Sequence, residues 1–397
     1  MKETKIGILT LYYQSNNYGG NLQAYALEKY LLNNGYAAEQ ICFDIKKQQR
    51  SRLKKLFSFG FFEFFPSVFR YIKRICVSPF VKKEEKKHNV LTRRKAAFFP
   101  FNQEIILHSE KVYTAENIAE SQNAYDVFIT GSDQVWNFQW YSSAYFLDFV
   151  PSNKIKLSYA ASMATDALTD SQKQILKSSL KDFKGVSLRE NNAVALIEDL
   201  CPVQPQYVLD PTFLLPQDDW NTICAEPQIK DEYIFCYFLG ENKKSRRIAE
   251  RFAREKGLKL VFIPHASGGI CLVDKKCKGE SLYDVTPQQF LSLIKYAKYV
   301  FTDSFHAVVF SNIFQKQYFV FNRNKKGEMN SRIKNITKLF YQEDRFCAGK
   351  DRENLQYIQA LKEIDYTKEN QEFENLKILS IQFLKENLQP VSNGENG

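Results

Sequence analysis

The chain has 397 residues, 44% of them hydrophobic, with 55 Lys and Arg against 45 Asp and Glu and a net charge of +10. This length exceeds one ordinary core and suits two domains of about 150 to 200 residues each. No apolar run approaches the roughly 18 residues of a spanning helix, the start MKETKIGILTLYY lacks a small-residue cleavage pattern, and a cytoplasmic protein is expected. The eight cysteines contain no CxxC pair, which argues against a zinc site or a disulfide framework.

Residues 5–11 (KIGILTL) read as a buried first strand. After YYQSNNYGG a helix follows from near Asn21, with Leu22, Tyr25, Ala26, Tyr30 and Leu31 on one face and Asn33-Asn34-Gly35 as its stop, and residues 40–45 make a second strand. The segment from Asn16 to Asn21 would let backbone approach a ligand and offer free N–H groups to an anion, or would serve only to pack strand against helix.

Residues 50–101 differ in character. Between Arg50 and Lys95 stand 14 basic residues and three acids, so the rest of the chain is nearly neutral. Phe57, Phe59, Phe61, Phe62, Phe64, Phe65 and Phe69 crowd among the cations, a composition suited to an anionic membrane surface or to nucleic acid. A solvated basic helix pair with its phenylalanines packed on the protein is the structural alternative. The aromatic density favours a membrane-facing insertion that does not span, and nucleic acid is not expected as a partner.

Residues 125–130 (YDVFIT) form the next strand and run into Gly131-Ser132-Asp133-Gln134-Val135-Trp136-Asn137, which sets short polar groups at an opening sheet edge. Asp133 there is a base, a holder of a sugar hydroxyl, or a turn cap. Residues 156–160 make a strand, 168–183 a helix and 185–188 (GVSL) a strand ending in Arg189-Glu190-Asn191. Arginine at that end suits bidentate capture of a carboxylate or phosphate; an ion pair with Glu190 or another acid is the alternative. Val208-Leu209-Asp210-Pro211-Thr212 closes a first domain of residues 1–215, and Pro216-Gln217-Asp218-Asp219-Trp220 has linker chemistry.

The second domain, residues 216–365, opens with YIFCY at 233–237, a basic helix at 243–256, and a strand at 259–263 leading to Pro264-His265. A helix at 287–297 precedes residues 299–321, which read as strand, helix and strand with His306 at the turn, where open parallel sheets bind ligands. Asp303 or Ser304 capping the helix, with His306 an ordinary first-turn residue, is the bland reading. A helix at 330–340 follows, and one at 376–388, within a tail of residues 366–397, is expected to cross back to the first domain.

Five blocks in order coincide with one family: NYGGNLQAYAL at 17–27, ITGSDQVWN at 129–137, VSLRE at 186–190, LDPTFLL at 209–215 and TDSFHAVVFSNIF at 302–314. On these the chain resembles the polysaccharide pyruvyl transferase family. The resemblance implies two Rossmann-like α/β domains facing across a cleft, similar to the two-domain GT-B glycosyltransferase architecture. It implies transfer of a pyruvyl group from phosphoenolpyruvate, as co-substrate, to two hydroxyls of one sugar as a cyclic ketal; no cofactor is expected and no residue is assigned to a metal. His306 is the expected catalytic acid and Arg189 the expected donor contact.

Some members carry Arg-Leu-His where this chain has Ser304-Phe305-His306, so a second anion contact falls to Arg323, Lys326, Arg332 or the helix N-terminus, beside Ser304 and Phe305. Protonating C3 of an enol phosphate calls for an acid with pKa near neutrality, and histidine is the nearest side chain. Asp133, with Glu190 behind it, is the candidate base for the acceptor hydroxyl. Asn17, Tyr18, Gly19, Asn21, Gln134, Trp136 and Asn137 are assigned to the acceptor, a saccharide expected to be lipid-linked in capsule or exopolysaccharide assembly at the inner face of the cell membrane. A sugar-nucleotide glycosyltransferase on the same architecture is the alternative.

Overall fold

The computed structural model describes residues 4–45, 89–265, 271, 273–323 and 330–388. Its first half contains strands β1 (Lys5–Leu9), β2 (Ala37–Gln40), β3 (Val127–Thr130), β4 (Ile155–Ser158), β5 (Ser187–Leu188) and β6 (Gln206–Tyr207). The first four pair in parallel in the order β2-β1-β3-β4, and bridges from Leu157 to Gly185 and Ala161 to Leu188 bring β5 and β6 alongside β4. The second half holds β7 (Tyr233–Tyr237), β8 (Lys259–Phe262), β9 (Glu280–Ser281), β10 (Tyr299–Thr302), β11 (Gln317–Phe321) and β12 (Phe346–Cys347), all parallel in the order β12-β11-β10-β7-β8-β9. Central strands such as β3 and β7 are buried at every residue, as sheets covered by helices on both faces require.

The helices used below are α1 (Tyr18–Asn33), α2 (Val90–Pro100), α3 (Asp170–Ser179), α4 (Asn191–Ile197), α5 (Gln217–Ile223), α6 (Lys243–Lys256), α7 (Pro287–Lys295), α8 (Phe305–Ile313), α9 (Asn330–Leu339), α10 (Leu355–Ala360) and α11 (Gln371–Leu388). Their ends follow local chemistry. Thr169 and Thr286 close capping boxes with Gln172 and Gln289 on α3 and α7, Pro287 stands at the first position of α7, and Gly257 ends α6 in the left-handed region.

Three elements differ from expectation. Helix α1 begins at Tyr18 because Asn17 caps it, accepting from the Gly20 N–H, so Gly19 and Gly20 lie in its first turn and not in a loop. Strand β2 lies at 37–40, earlier than residues 40–45. Of the basic aromatic insertion, residues 46–88 lie outside the described residues; its end is α2, which buries Val90, Arg94 and Phe98 on one face and exposes Thr92, Arg93 and Lys95 on the other. There Phe98 meets the Tyr18 ring at 4.7 Å, and Arg93 pairs with Asp284 of the second half at 2.9 Å.

The two halves share a core on one side of the cleft. Tyr18 stacks on Phe290 at 4.5 Å and its hydroxyl donates to the Val285 carbonyl, while the Tyr25 ring meets Trp220 at 5.8 Å. Helix α11 returns to the first half: the Leu209 N–H donates to Ser380 Oγ and Lys184 Nζ to the Asn387 carbonyl, each at 2.9 Å. This seating brings the N-terminus of α1 against the N-terminus of α8.

Candidate active site

Arg189 leaves the end of β5 and is 4% exposed. One terminal nitrogen donates to Asp210 Oδ2 at 2.7 Å and the other to Asp133 Oδ1 at 2.9 Å, while Nε stands 3.7 Å from Glu190 Oε1. The Phe305 ring covers its guanidinium at 4.6 Å. Both terminal nitrogens thus already hold carboxylates, the ion-pair arrangement expected as the alternative for Arg189.

Asp133 reaches this arginine because its backbone adopts φ of +63°, a left-handed conformation that Asp tolerates better than most residues. Burial opposes its ionisation, but Arg189, His306 and Arg332 outweigh burial and hold its carboxyl below the usual range. A carboxylate so stabilised stays ionised at neutral pH. Glu190, the residue before α4, behaves oppositely: burial raises its carboxyl despite Arg189 and Arg332. Its Oε1 accepts from Ser162 Oγ at 2.5 Å, and its Oε2 has no hydrogen-bond partner among the described residues.

His306 occupies the first turn of α8 and is 6% exposed. A Cβ on Gly19 would lie 2.0 Å from its Nδ1, so glycine is the residue that lets the imidazole sit against α1. Its Nε2 stands 3.5 Å from Asp210 Oδ2, and Phe305 meets the ring edge-on at 5.2 Å. Asp210, to which no role was given, thus touches both His306 and Arg189 and also accepts from Thr212 N and Oγ1. Burial opposes its ionisation, yet His306 first and Arg189 next hold it well below the carboxylate range. The Asp-Pro-Thr capping pattern was the available signal, but it marks a turn and not a contact 96 residues away.

Arg332 on α9 is 5% exposed and has no carboxylate within 4 Å among the described residues. The Gln134 amide oxygen, turned toward it, accepts from both terminal nitrogens at 2.9 Å, and Nε has no partner. Burial, then Arg189, pushes its pKa down to about 10, with Glu190 pulling the other way. Arg323, at the end of β11, donates to the Asp303 carbonyl at 3.1 Å. Ser304 precedes α8 without capping it through its side chain, and Lys326 lies outside the described residues.

The acceptor set is largely taken up elsewhere. Tyr18, Asn21 and Trp136 are fully buried: Tyr18 in the core between the halves, Asn21 donating to the Ser15 and Asn17 carbonyls, and Trp136 stacked on Phe146 with its indole N–H on the Tyr145 carbonyl. Asn17 caps α1, Asn137 caps a short turn through the Gln139 N–H, and Gly19 receives the imidazole. As placed, Tyr18, Asn21 and Trp136 are engaged in packing and local hydrogen bonds, and Gly19 abuts His306. No group of three or more His, Cys, Asp or Glu able to hold a metal occurs among the described residues.

Two parallel α/β layers with their carboxyl edges turned to one cleft, and a His, three carboxylates and two buried arginines between them, define a GT-B-like protein with a polar centre. Solved structures agree on the fold. A candidate UDP-N-acetylglucosamine 2-epimerase from Listeria monocytogenes gives a TM-score of 0.52 at 10% identity, covering 94% of this chain and 91% of its own. A glycosyltransferase from Rickettsia africae gives 0.51 at 12% over 98% and 97%, and a UDP-N-acetylglucosamine 2-epimerase from Rickettsia bellii 0.50 at 10% over 97% and 96%. Comparison with curated proteins returns no match. The family model of polysaccharide pyruvyl transferase matches residues 17–325, and the chain belongs to that family of transferases.

Proposed function

We propose that this protein moves the pyruvyl group of phosphoenolpyruvate onto two hydroxyls of one sugar residue, closing a cyclic ketal and releasing phosphate. The observation that supports it best is Arg332, a buried guanidinium beside His306's centre whose hydrogen bonds among the described residues go to an amide, with no carboxylate within 4 Å. A buried cation with no direct ion-pair partner is costly, and an anionic donor supplies one. In this reading the donor lies against Arg332 and the N-terminus of α8.

His306, oriented by Asp210, delivers a proton to C3 as the first acceptor hydroxyl adds to C2, and Glu190 takes that hydroxyl's proton. The second hydroxyl then replaces phosphate at C2. Two C–O bonds form and the bond from C2 to the phosphate oxygen breaks; one acceptor proton is balanced by the new methyl group and the other leaves with phosphate. Arg189 holds Asp133 and Asp210 in place.

The acceptor is lipid-linked, in capsule or exopolysaccharide assembly, and the basic aromatic composition ahead of α2 supports contact with an anionic membrane. No helix among the described residues is long and apolar enough to cross one. Purified protein with phosphoenolpyruvate and extracted lipid-linked saccharides should release phosphate only when acceptor is present. Release of nucleotide from a sugar nucleotide under the same conditions, with none of phosphate from phosphoenolpyruvate, would instead identify a glycosyltransferase. Sedimentation with vesicles should require phosphatidylglycerol over phosphatidylcholine alone.

A further inference from the structure

The carboxyl edge of the second sheet carries a group of cations that pyruvyl transfer does not use. The ends of β11, β10, β7 and β8 lie side by side there, contributing Arg323, Asp303, Gly240 and His265. Arg246 on α6, 3% exposed, donates through Nε to Asp274 Oδ1 at 2.6 Å and through one terminal nitrogen to the Asn242 carbonyl; the other terminal nitrogen has no partner among the described residues. The same Asp274 carboxylate accepts from the His265 backbone N–H at 2.9 Å. Arg94 enters from α2 of the other half, also 3% exposed. It donates to the Pro264 carbonyl at 3.0 Å, its Nε is unpartnered, and no carboxylate lies within 4 Å of it among the described residues.

Three guanidiniums therefore face two carboxylates, and both carboxylates are occupied: Asp274 as above, and Asp303 by the N–H groups of Leu239 and Gly240 at 2.7 and 2.8 Å. Burial, then Arg323, Arg94 and Arg246, drives the His265 imidazole down to about 4, so it adds no charge at neutral pH. Buried guanidinium N–H groups without acceptors are costly, and a multidentate oxyanion satisfies several at once. The place is the one at which open parallel sheets bind ligands, next to the N-terminus of the 14-residue α6.

We propose that Arg94, Arg246 and Arg323 form a second oxyanion site, which takes a phosphoryl group carried by the acceptor, so that the acceptor is a saccharide 1-phosphate or 1-diphosphate. This rests on the pyruvyl-transfer reading: the donor's anions are met at Arg332, and the reaction has one other substrate. A neutral sugar leaves the second group without a ligand. Arg323 stands between the two sites, and its charge bears on both Arg332 and His265.

The test is calorimetric titration of the full chain with glucose 1-phosphate, glucose and inorganic phosphate, each with and without saturating phosphoenolpyruvate. Glucose 1-phosphate should bind at least tenfold tighter than glucose, alongside phosphoenolpyruvate, and Arg94→Gln should weaken it by about tenfold. Arg323→Gln, at the partly exposed rim, should do the same and replaces Arg94→Gln if that variant melts early. Three results overturn the proposal: glucose 1-phosphate no tighter than glucose, displacement by phosphoenolpyruvate, or inorganic phosphate bound as tightly as glucose 1-phosphate, which would make this an exit site for the product. Phosphoenolpyruvate titrated alone reports on the donor reading separately, so failure of that reading and failure of the second site are distinguishable.

Discussion

Arg189 and Arg332 are both buried, both in the same centre, and differ in what surrounds them. Arg189 has a carboxylate on each terminal nitrogen and an aromatic ring over its face; Arg332 has the side-chain amide of Gln134. The charge of the first is already used to hold Asp133 and Asp210, which in turn contact Arg332's neighbourhood and His306. The second has no carboxylate within 4 Å among the described residues, and in the proposed reaction its charge meets the donor. Burial of an arginine therefore says little about anion binding until its carboxylate partners are counted.

The sharpest way to break this contrast is to remove each arginine. Arg189→Gln leaves two buried carboxylates without their cation and should cost about 3 to 5 kcal/mol of stability, read by denaturant unfolding. A stable Arg189→Gln whose only defect is weak donor binding would abolish the distinction. Next in size, His306→Ala should lower turnover by about 100-fold or more, measured as phosphate release, with the melting temperature little changed. Gly19→Ala, whose Cβ would overlap the imidazole, should approach that loss without touching either arginine. Arg332→Gln should raise KM for phosphoenolpyruvate by about tenfold or more and leave stability nearly intact.

The smallest effect is in pH. Asp133 and Asp210 are depressed in the fold, so the stability they supply is fully present above the unfolded Asp value of 3.8 and is lost as pH falls through their lower folded values. Glu190, raised by burial, has the opposite sign: its contribution is present below its unfolded value of 4.5 and is lost as pH rises through its folded value. Melting curves across this acid range should show Asp133→Asn flattening the loss at low pH and Glu190→Gln flattening the decline on the other side.

Much of the fold was legible. Strands such as 233–237 and the helix at 243–256 lie where the residue pattern put them, because continuous apolar runs and a strongly amphipathic basic stretch have few other solutions. The boundary at α1 was missed because Asn17 caps a helix whose first turn contains two glycines, a composition that reads as loop. The burial of Tyr18, Asn21 and Trp136 was not legible in their motifs, because it is set by packing between elements distant in the chain.

The sequence by itself determined the class of chain: parallel α/β layers, family blocks in order, and a histidine, an arginine and several acids at strand ends. Hydrophobic periodicity and strand-end polarity are local properties, and local sequence carries them. Only the tertiary structure decided which charges cancel. Asp210, Arg189, His306, Arg332 and Gly19 lie on different strands and helices, and their partners are set by how the two halves seat against each other. Interactions in a buried centre depend on distance and desolvation, quantities that exist only once the chain has folded.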